Sequence, residues 1–328
     1  MNYEAILNEF NEKRILVIGD VMLDAYVLGK VTRVSPEAPV PVVALDKKEN
    51  RIGGAGNVAL NLKNLGASPI IATVVGTDAE GKILEDLFQK RGISSDGLVT
   101  SEFRKTTVKT RVISSKQQLL RIDSEDTHPL SSDHEKVLLE KILKLMKIGL
   151  DAIILEDYDK GVLNENNIQR IITEAKKYNI PVTADPKKDN FHHYRGLNLF
   201  KPNLKELKEG LNIEFNFESN QDALQTAVEN LRKAIPHEVS LITLSEHGVF
   251  ICNDLKQAHI PAHKRAIADV SGAGDTVIAV ATLCYLSGAP LNSIAQISNI
   301  AGGMVCEKPG VVSISFEELK NEIRELLQ

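Results

Sequence analysis

Short apolar runs alternate with amphipathic stretches along most of the chain. Apolar runs typical of strands buried on both faces occur at 14–20, 69–76, 151–157, 180–185, 197–201 and 239–244. Helical periodicity predicts helices at 78–91, 132–149, 164–178, 203–210, 219–234, 272–287, 291–306 and 315–327, with a capping box at 132–135 and strand pieces in 247–262. This alternation predicts an α/β fold whose doubly wound, mainly parallel sheet is flanked by helices.

Two segments interrupt the alternation. Residues 24–45 are rich in valine and proline, which predicts extended, partly exposed strands. Residues 106–123 have the pattern of a hairpin with a turn near 114–116. We expect both segments to form one small sheet that acts as a lid over the ligand-binding edge of the main sheet. No repeat or linker divides residues 1–328, which predicts a single domain.

Composition and charge exclude several classes of protein. The chain has 328 residues, of which 43% are hydrophobic, enough for one large core. A formal net charge of −5 argues against a nucleic-acid or anionic-membrane surface. Three widely spaced cysteines predict buried thiols in a reducing compartment. The chain starts without the pattern of a signal peptide, and the apolar run within 276–291 is too short for a bilayer, so we expect a cytoplasmic protein.

The stretch D-V-S-G-A-G-D at 269–275 comes directly before an apolar helix. Its small residues leave N–H groups exposed at the helix N-terminus, where the macrodipole favours an anion such as phosphate. Asp275 lies in the first turn, and its carboxylate could take a proton from a hydroxyl that attacks the phosphate. The spacing alone also allows a simpler interpretation, in which the glycines form a tight turn and Asp275 complements the dipole.

The motif D-x-x-G-A-G-D resembles the signature of the ribokinase-like (PfkB) carbohydrate kinases. The resemblance implies that Gly272, Ala273 and Gly274 form an anion hole and that Asp275 is the catalytic base. It also implies ATP as co-substrate, Mg²⁺ as cofactor, and room for a monovalent cation such as K⁺ near Asp269 and Ser271.

A second glycine-rich stretch, G-G-A-G-N at 53–57, opens a helical pattern. Gly54, Gly56 and Ala59 match a dinucleotide fingerprint, with Asp78 at about the right distance downstream. The strand that should precede such a fingerprint is missing from the pattern, because residues 46–51 are charged, and this argues against NAD. In the resembled family, G-G-x-x-N lies beneath the sugar, so the residues expected to position a sugar are Asp24, Gly53, Gly54 and Asn57.

Two further motifs resemble nucleotide-binding parts of the same family. Asn203 follows a strand and Glu206 falls in the next helical turn, which predicts a helix cap. The resemblance adds a role for both near the phosphates and Mg²⁺, partly through water, and oxygen ligands of this kind suit Mg²⁺. Residues 243–248 resemble a nucleotide-contacting loop, in which Thr243, Ser245 and Gly248 are expected to contact ATP. A plain hairpin turn is the alternative for this loop.

Four stretches, at 33–42, 117–123, 157–161 and 184–187, resemble the D-glycero-D-manno-heptose-7-phosphate kinases. These often form the N-terminal half of a bifunctional heptose kinase/adenylyltransferase that makes lipopolysaccharide precursors. The resemblance implies phosphorylation of the anomeric hydroxyl to give the 1,7-bisphosphate. No second domain follows residue 328, so we expect the kinase alone. Exposed apolar residues such as Val40, Val42 and Val112 predict a homodimer through the lid sheets.

A sugar phosphate needs positive charge at its far end. Six basic residues fall in lid or strand-end segments: Arg33, Lys109, Arg111, Arg121, Lys160 and Lys187. The substrate-binding set that we predict from them and their neighbours is Arg111, Gln118 and Lys187. The pair His192-His193 has no further ligand at metal spacing, so we interpret it as a solvated loop. Two other functions stay open: a kinase of the same family for another sugar, and an inactive carbohydrate-binding protein on this fold.

Overall fold

The computed structural model describes residues 3–115, 117–217 and 222–327. Its strands are β1 (Arg14–Gly19), β2 (Val21–Val34), β3 (Pro41–Gly54), β4 (Ser68–Gly76), β5 (Ser94–Ser101), β6 (Val108–Ser114), β7 (Gln117–Ser124), β8 (Ala152–Glu156), β9 (Val182–Asp185), β10 (Leu197–Phe200), β11 (His237–Thr243), β12 (Val249–Cys252) and β13 (Gln257–Ile260). Its α-helices are α1 (Tyr3–Asn8), α2 (Ala55–Asn64), α3 (Ala79–Lys90), α4 (Ser132–Ile148), α5 (Glu165–Lys177), α6 (Leu204–Leu211), α7 (Asp222–Ala234), α8 (Ala273–Leu286), α9 (Leu291–Cys306) and α10 (Phe316–Leu327).

Nine strands form the main sheet, in the order β13-β12-β11-β10-β9-β8-β1-β4-β5. All pairings from β5 across to β11 are parallel, and β12 is antiparallel to both of its neighbours. Apolar side chains cover both faces of this sheet. Ile15 and Val17 pack on one face, and Leu16 and Ile18 on the other, because successive side chains of a strand alternate. The predicted doubly wound α/β fold is confirmed.

Four strands form a separate, smaller sheet in the order β3-β2-β6-β7. Strand β2 runs antiparallel to β3 and parallel to β6, and β6 runs antiparallel to β7. The small sheet predicted from 24–45 and 106–123 is therefore present, although β2 and β3 together extend from Val21 to Gly54. Strand β7 is exposed along its whole length, so this sheet has a face open to solvent.

The strand that precedes the glycines at 53–54 corrects one expectation. The pattern of residues 46–51 argued against a strand, but β3 runs through these residues to Gly54. Its charged side chains are tolerated because this part of β3 is exposed. Strand β3 pairs antiparallel with β2, and therefore it is no part of the parallel strand–helix–strand unit of a dinucleotide fold. Geometry, rather than a missing strand, excludes the NAD interpretation.

Smaller differences concern the ends of elements. The N-cap of α4 is Ser131 and not Ser132, since the Ser131 hydroxyl accepts from the amide of His134. Helix α1 and strand β5 were not predicted. The predicted start of a helix at 219 and the end of the 114–116 turn lie partly outside the described residues, which omit 218–221 and 116.

Candidate active site

The carboxyl ends of four neighbouring strands carry charged side chains that are almost fully buried. Asp20 follows β1, Glu156 ends β8, Asp185 ends β9 and Lys201 follows β10, and each is at most 4% exposed. Ligands of open α/β sheets bind at this edge. Buried charges are costly unless they are paired or bind a ligand, so this edge is the candidate site.

Helix α8 begins at this edge, at the glycine-rich turn of the 269–275 stretch. Gly272 has φ of +82°, and a Cβ atom there would come within 2.8 Å of the Asn57 amide nitrogen, so the position needs glycine. A Cβ on Gly274 would meet Asp185 Oδ2 at 3.4 Å. Ala273 is the first helical residue. The amides of Gly274 and Asp275 lie in the first turn, where helix geometry provides no acceptor, and they can donate to an anion.

Asp269 shapes the loop before this turn. Its Oδ1 accepts from the Ser271 amide at 2.9 Å and its Oδ2 accepts from the Gly310 amide at 3.0 Å. The pKa of Asp269 is lowered, because these hydrogen bonds outweigh the effect of burial. Asp269 is therefore an ionised carboxylate that joins the anion-binding turn to the loop after α9.

The carboxylate of Asp275 is held by two donors from distant parts of the chain. Its Oδ2 accepts from Asn57 Nδ2 at 2.7 Å, and its Oδ1 accepts from the Tyr158 hydroxyl at 2.6 Å. Burial raises the pKa of Asp275, while both hydrogen bonds oppose the rise. A buried carboxylate with a raised pKa at the open end of a helix has the properties of a general base.

A cleft of about 1110 Å³ opens beside Asp275. It is lined by every residue predicted to contact ATP except Glu206, namely Asn203, Thr243, Ser245, Gly248, Gly272 and Gly274. An isolated β-bridge between Asn203 and Thr243 joins the two nucleotide motifs. Ser245 adopts φ of +54°, a left-handed conformation that glycine adopts without steric cost.

Asn203 and Glu206 form a complete capping box at the start of α6. Asn203 Oδ1 accepts from the Glu206 amide at 2.8 Å, and Glu206 Oε2 accepts from the Asn203 amide at 2.9 Å. The other oxygen, Glu206 Oε1, pairs with Lys187 Nζ. Lys187 was predicted to bind the sugar, yet it lines the same cleft as the nucleotide motifs. Its pKa is raised, because Asp185 and Glu206 outweigh the effect of burial.

Oxygen atoms suitable for a hard cation lie around this capping box. Glu156 Oε2 and Asp185 Oδ1 are buried and accept no hydrogen bond within the described chain. Lys201 Nζ pairs with Asp185 Oδ2 at 2.7 Å. Burial and the Asp185 charge raise the pKa of Glu156 well above its ordinary value. Carboxylates with free oxygens fit Mg²⁺ and its waters, although no group of three or more metal-binding side chains is preassembled among the residues described.

On the side of the small sheet, Asp24 and Arg111 form a buried ion pair. A Cβ on Gly53 would come within 2.1 Å of Asp24 Oδ2, so glycine is required for this approach. Burial raises the pKa of Asp24, and the Arg111 charge opposes the rise. Gly54 and Asn57 follow where β3 gives way to α2, which brings them to the same region. Gln118 lies on the exposed strand β7 and has no burial that would indicate a site.

The six basic residues differ in whether a carboxylate neutralises them. Four are paired: Arg111 with Asp24, Arg121 with Asp123, Lys160 with Glu125, and Lys187 with Glu206. Arg33 is exposed. Lys109 is half-buried, its ammonium lies 5.6 Å from the centroid of the Tyr158 ring, and no ion pair to it is found among the described residues. Burial lowers the pKa of Lys109.

Sequence reasoning singled out neither Tyr158 nor Lys201. Tyr158 falls inside the stretch at 157–161, and its place two residues beyond the end of the buried strand β8 was the available signal. Lys201 likewise comes directly after β10. Across the described chain, no helix has the length and apolar character needed to cross a membrane.

Comparison with known proteins agrees with this geometry. Residues 12–318 match the model of the pfkB family of carbohydrate kinases. The chain is 41% identical over 310 residues to the bifunctional protein HldE of Methylobacillus flagellatus. This match covers 94% of the chain and 63% of the relative, so the chain spans less than two thirds of that protein.

Solved structures support the same fold. Phosphofructokinase-2 from Escherichia coli in complex with potassium has a TM-score of 0.78 at 19% identity, with coverage of 97% of this chain and 100% of that one. Arabidopsis thaliana ribokinase complexed with ribose and ATP has a TM-score of 0.72 at 17% identity, with coverage of 95% and 99%. The match over residues 12–318 establishes that the chain belongs to the pfkB family of carbohydrate kinases, enzymes that transfer a phosphoryl group to a sugar hydroxyl.

Proposed function

We propose that the chain transfers the γ-phosphoryl group of ATP to the anomeric hydroxyl of D-glycero-D-manno-heptose 7-phosphate, giving the 1,7-bisphosphate. The observation that carries this proposal is the buried Asp275 carboxylate at the start of α8, beside the large cleft. The choice of sugar rests on the four stretches that resemble heptose-7-phosphate kinases and on the similarity to the bifunctional protein HldE.

In this mechanism the chain contributes position, charge and one proton acceptor. Asp275 takes the proton of the attacking hydroxyl, and the amides of Gly272, Gly274 and Asp275 stabilise the charge on the transferred phosphoryl group, whereas the Ala273 amide donates to the Val270 carbonyl at 3.3 Å. Asp24, Gly53, Gly54 and Asn57 position the sugar. The nucleotide lies in the cleft against Asn203, Thr243, Ser245 and Gly248.

Metal ions enter the proposal through the oxygen ligands of the cleft. Mg²⁺, when bound, would neutralise charge on the nucleotide phosphates. Asn203 and Glu206 would hold it partly through water, because Asn203 Oδ1 and both carboxylate oxygens of Glu206 already accept hydrogen bonds. We also propose a monovalent cation near Asp269 and Ser271, supported by the potassium complex of phosphofructokinase-2 from Escherichia coli. Activity measured in KCl against NaCl tests this second ion.

For the substrate phosphate we propose Lys109 as the first anchor. The other cationic candidates near the cleft already have carboxylate partners, whereas the Lys109 ammonium is half-buried and faces the Tyr158 ring. A buried cation without an anionic partner is the strongest position for a charge-assisted bond to phosphate. Arg111 is proposed to act on the sugar together with Asp24, and Gln118 would reach the substrate only if β7 moves.

We also propose a homodimer through the small sheet. Apolar side chains on its outer part are more than half exposed: Val34, Val40, Leu45, Leu120 and Ile122. Val42 and Val112, which the sequence suggested as exposed, are half-buried. Exposed apolar strands of this kind are usually covered. Light scattering at micromolar concentration should give twice the monomer mass, and a monomer would contradict this proposal.

The proposed substrate is tested by a panel of acceptors with Mg·ATP, in which ADP formation is followed for heptose 7-phosphate, fructose 6-phosphate and ribose. Heptose 7-phosphate should have the highest kcat/KM by a large ratio, because a sugar without a phosphate would leave the buried cations of the site unpaired. Equal or faster turnover of an unphosphorylated sugar would indicate a kinase for another substrate. No turnover of any acceptor would favour an inactive carbohydrate-binding protein.

A further inference from the structure

Tyr158 touches the carboxylate that the mechanism uses, and neither the family signature nor the glycine motifs assign it a role. Its hydroxyl donates to Asp275 Oδ1 at 2.6 Å across 117 residues of sequence. The opposite oxygen of Asp275 accepts from Asn57. The carboxylate is thus held at both oxygens, which removes its freedom to rotate.

Charged groups surround this contact on several elements. Asp185 and Lys201 act on Asp275 from the ends of β9 and β10, and Glu156 acts from β8. The Tyr158 ring has two lysine ammonium groups near it, Lys109 at 5.6 Å and Lys187 at 5.4 Å from the ring centroid. Burial and the charge of Asp275 raise the pKa of Tyr158 well above its ordinary value, so the phenol keeps its proton and remains a donor.

A carboxylate offers about four acceptor sites, and Tyr158 and Asn57 occupy two of them. A sugar hydroxyl can therefore approach the remaining sites without displacing either donor. Once Asp275 takes the proton of that hydroxyl, it loses its negative charge and becomes a weaker acceptor for the phenol. The hydrogen bond from Tyr158 is consequently strongest while the base is ready to react.

We propose that Tyr158 is a positioning residue for the base: its hydroxyl holds the Asp275 carboxylate in one orientation and keeps it ionised until the attacking hydroxyl arrives. This proposal rests on the proposed kinase function in one respect: the first of the two measurements described below needs a sugar acceptor, and the second does not. The lysines on the ring link Tyr158 to both sides of the site, since Lys109 belongs to the small sheet and Lys187 to the nucleotide cleft.

Tyr194 supplies a matched control. Its hydroxyl donates to Asp157 Oδ2 at 2.7 Å, which is the same kind of buried tyrosine–aspartate bond, but within the described part of the chain it has no hydrogen bond to residues 271–275. Tyr158→Phe and Tyr194→Phe therefore remove the same group from two buried carboxylates. Only Tyr158→Phe should change the protonation of Asp275.

The first readout is the rate at saturating Mg·ATP across pH 6 to 9, with whichever acceptor the panel identifies. The loss of kcat in Tyr158→Phe should be about tenfold larger at pH 6 than at pH 9, because an unassisted buried carboxylate is protonated more readily. Tyr194→Phe should melt at a lower temperature than wild type. The ratio of its kcat to that of wild type should be the same at every pH. A constant ratio in Tyr158→Phe as well would overturn the proposal.

The second readout needs no substrate. The carboxyl carbon of Asp275 is followed by ¹³C NMR in aspartate-labelled protein and identified by its loss in Asp275→Asn. In Tyr158→Phe it should titrate at higher pH than in wild type, and with 3-fluorotyrosine at position 158, a stronger donor of the same shape, at lower pH. Unchanged titration in the fluorinated protein would overturn the proposal even if Tyr158→Phe does not fold. The expected shifts without turnover of heptose 7-phosphate would instead count against the proposed substrate alone.

Discussion

The two sides of Asp275 are built in different ways. On the side where we propose the nucleotide, the side chains come from the ends of parallel strands and from helix caps of the main sheet, and they are already paired with one another. Lys201 binds Asp185, and Lys187 binds Glu206. On the side where we propose the sugar, Asp24 and Arg111 come from the small sheet and form a similar pair, but Lys109 of the same sheet has no such partner among the described residues.

This difference separates two tasks. Side chains that are fixed by pairs and caps before a ligand arrives are suited to catalysis, because a preorganised site needs no rearrangement during the reaction. A half-buried cation on a sheet with an open face is suited to recognition of a particular acceptor. We therefore expect substitutions on the nucleotide side to change kcat, and substitutions on the small sheet to change kcat/KM for the sugar acceptor.

The largest effect is expected where the two sides meet. Asp275→Asn removes the proton acceptor, and kcat should fall by about 10²- to 10⁴-fold. The fold should survive, because Asn57 Oδ1 is buried without a partner and can accept from the new amide once the Asn57 amide turns over. Binding of ADP should persist, as isothermal titration calorimetry would report.

Asp78→Asn is the control for Asp275→Asn. Asp78 is also an acidic residue at a helix start, where it caps α3 by accepting from the Gly81 amide. It should keep wild-type kcat, because the amide oxygen can still cap the helix. A fall in kcat of less than about threefold in Asp275→Asn, with the fold intact, would exclude Asp275 as the base.

Lys109→Met tests the sugar side. The value of kcat/KM for a phosphorylated acceptor should fall roughly 10- to 100-fold, because a charge-assisted hydrogen bond to the phosphate is lost. The KM for ATP and the use of unphosphorylated sugars should not change. Lys30→Met, on the exposed part of the same sheet, is the control and should be silent. An equal loss of kcat/KM for phosphorylated and unphosphorylated acceptors would show that Lys109 does not bind the substrate phosphate.

Glu206→Gln tests the metal on the nucleotide side. At limiting Mg²⁺ the rate should fall roughly tenfold and recover in part as Mg²⁺ increases, because a carboxylate near the metal has become an amide. Glu318→Gln is a close control, since Glu318 also sits in a capping box, with Ser315, and also pairs with a lysine, Lys308. Identical Mg²⁺ dependence in the two variants would remove Glu206 from the metal site.

The smallest effect concerns the loop that carries Tyr158 between the two sides. Asp159 has φ of +53°, and burial together with the Asp157 and Asp189 charges raises the pKa of Asp159 to about 6. A raised carboxyl pKa means that the folded state loses stability as pH rises from about 4 to about 6. Asp159→Asn should therefore stabilise the protein at pH 8 by about 1 kcal/mol, after a discount for partial exposure.

Urea denaturation at pH 8 and at pH 4 measures this gain. Asparagine is well tolerated at positive φ, so any gain from the backbone alone would be the same at both pH values. The gain from charge should vanish at pH 4, where both proteins carry a neutral group. If the gain in the free energy of unfolding does not depend on pH, the charge of Asp159 does not destabilise the folded state.

Much of the main sheet could be predicted, because strands buried on both faces must be continuously apolar and helices between them must be amphipathic. The polar edge strand β5 and the charged part of β3 could not, since a strand with a solvent face has no such requirement. Glycine turns and caps were also visible, because their chemistry is local. The contact between Tyr158 and Asp275 joins residues that are 117 positions apart in the sequence, and hydrophobic periodicity carries no information about such contacts.

Identification of the product is the sharpest test of the proposed reaction. The protein is incubated with Mg·ATP and D-glycero-D-manno-heptose 7-phosphate, and the mixture is followed by ³¹P NMR. The γ-phosphate signal of ATP should be replaced by that of a new phosphate at the anomeric carbon of the sugar, in equal amount to ADP, while the 7-phosphate signal persists. Formation of ADP with only inorganic phosphate, or no change at all, would contradict it.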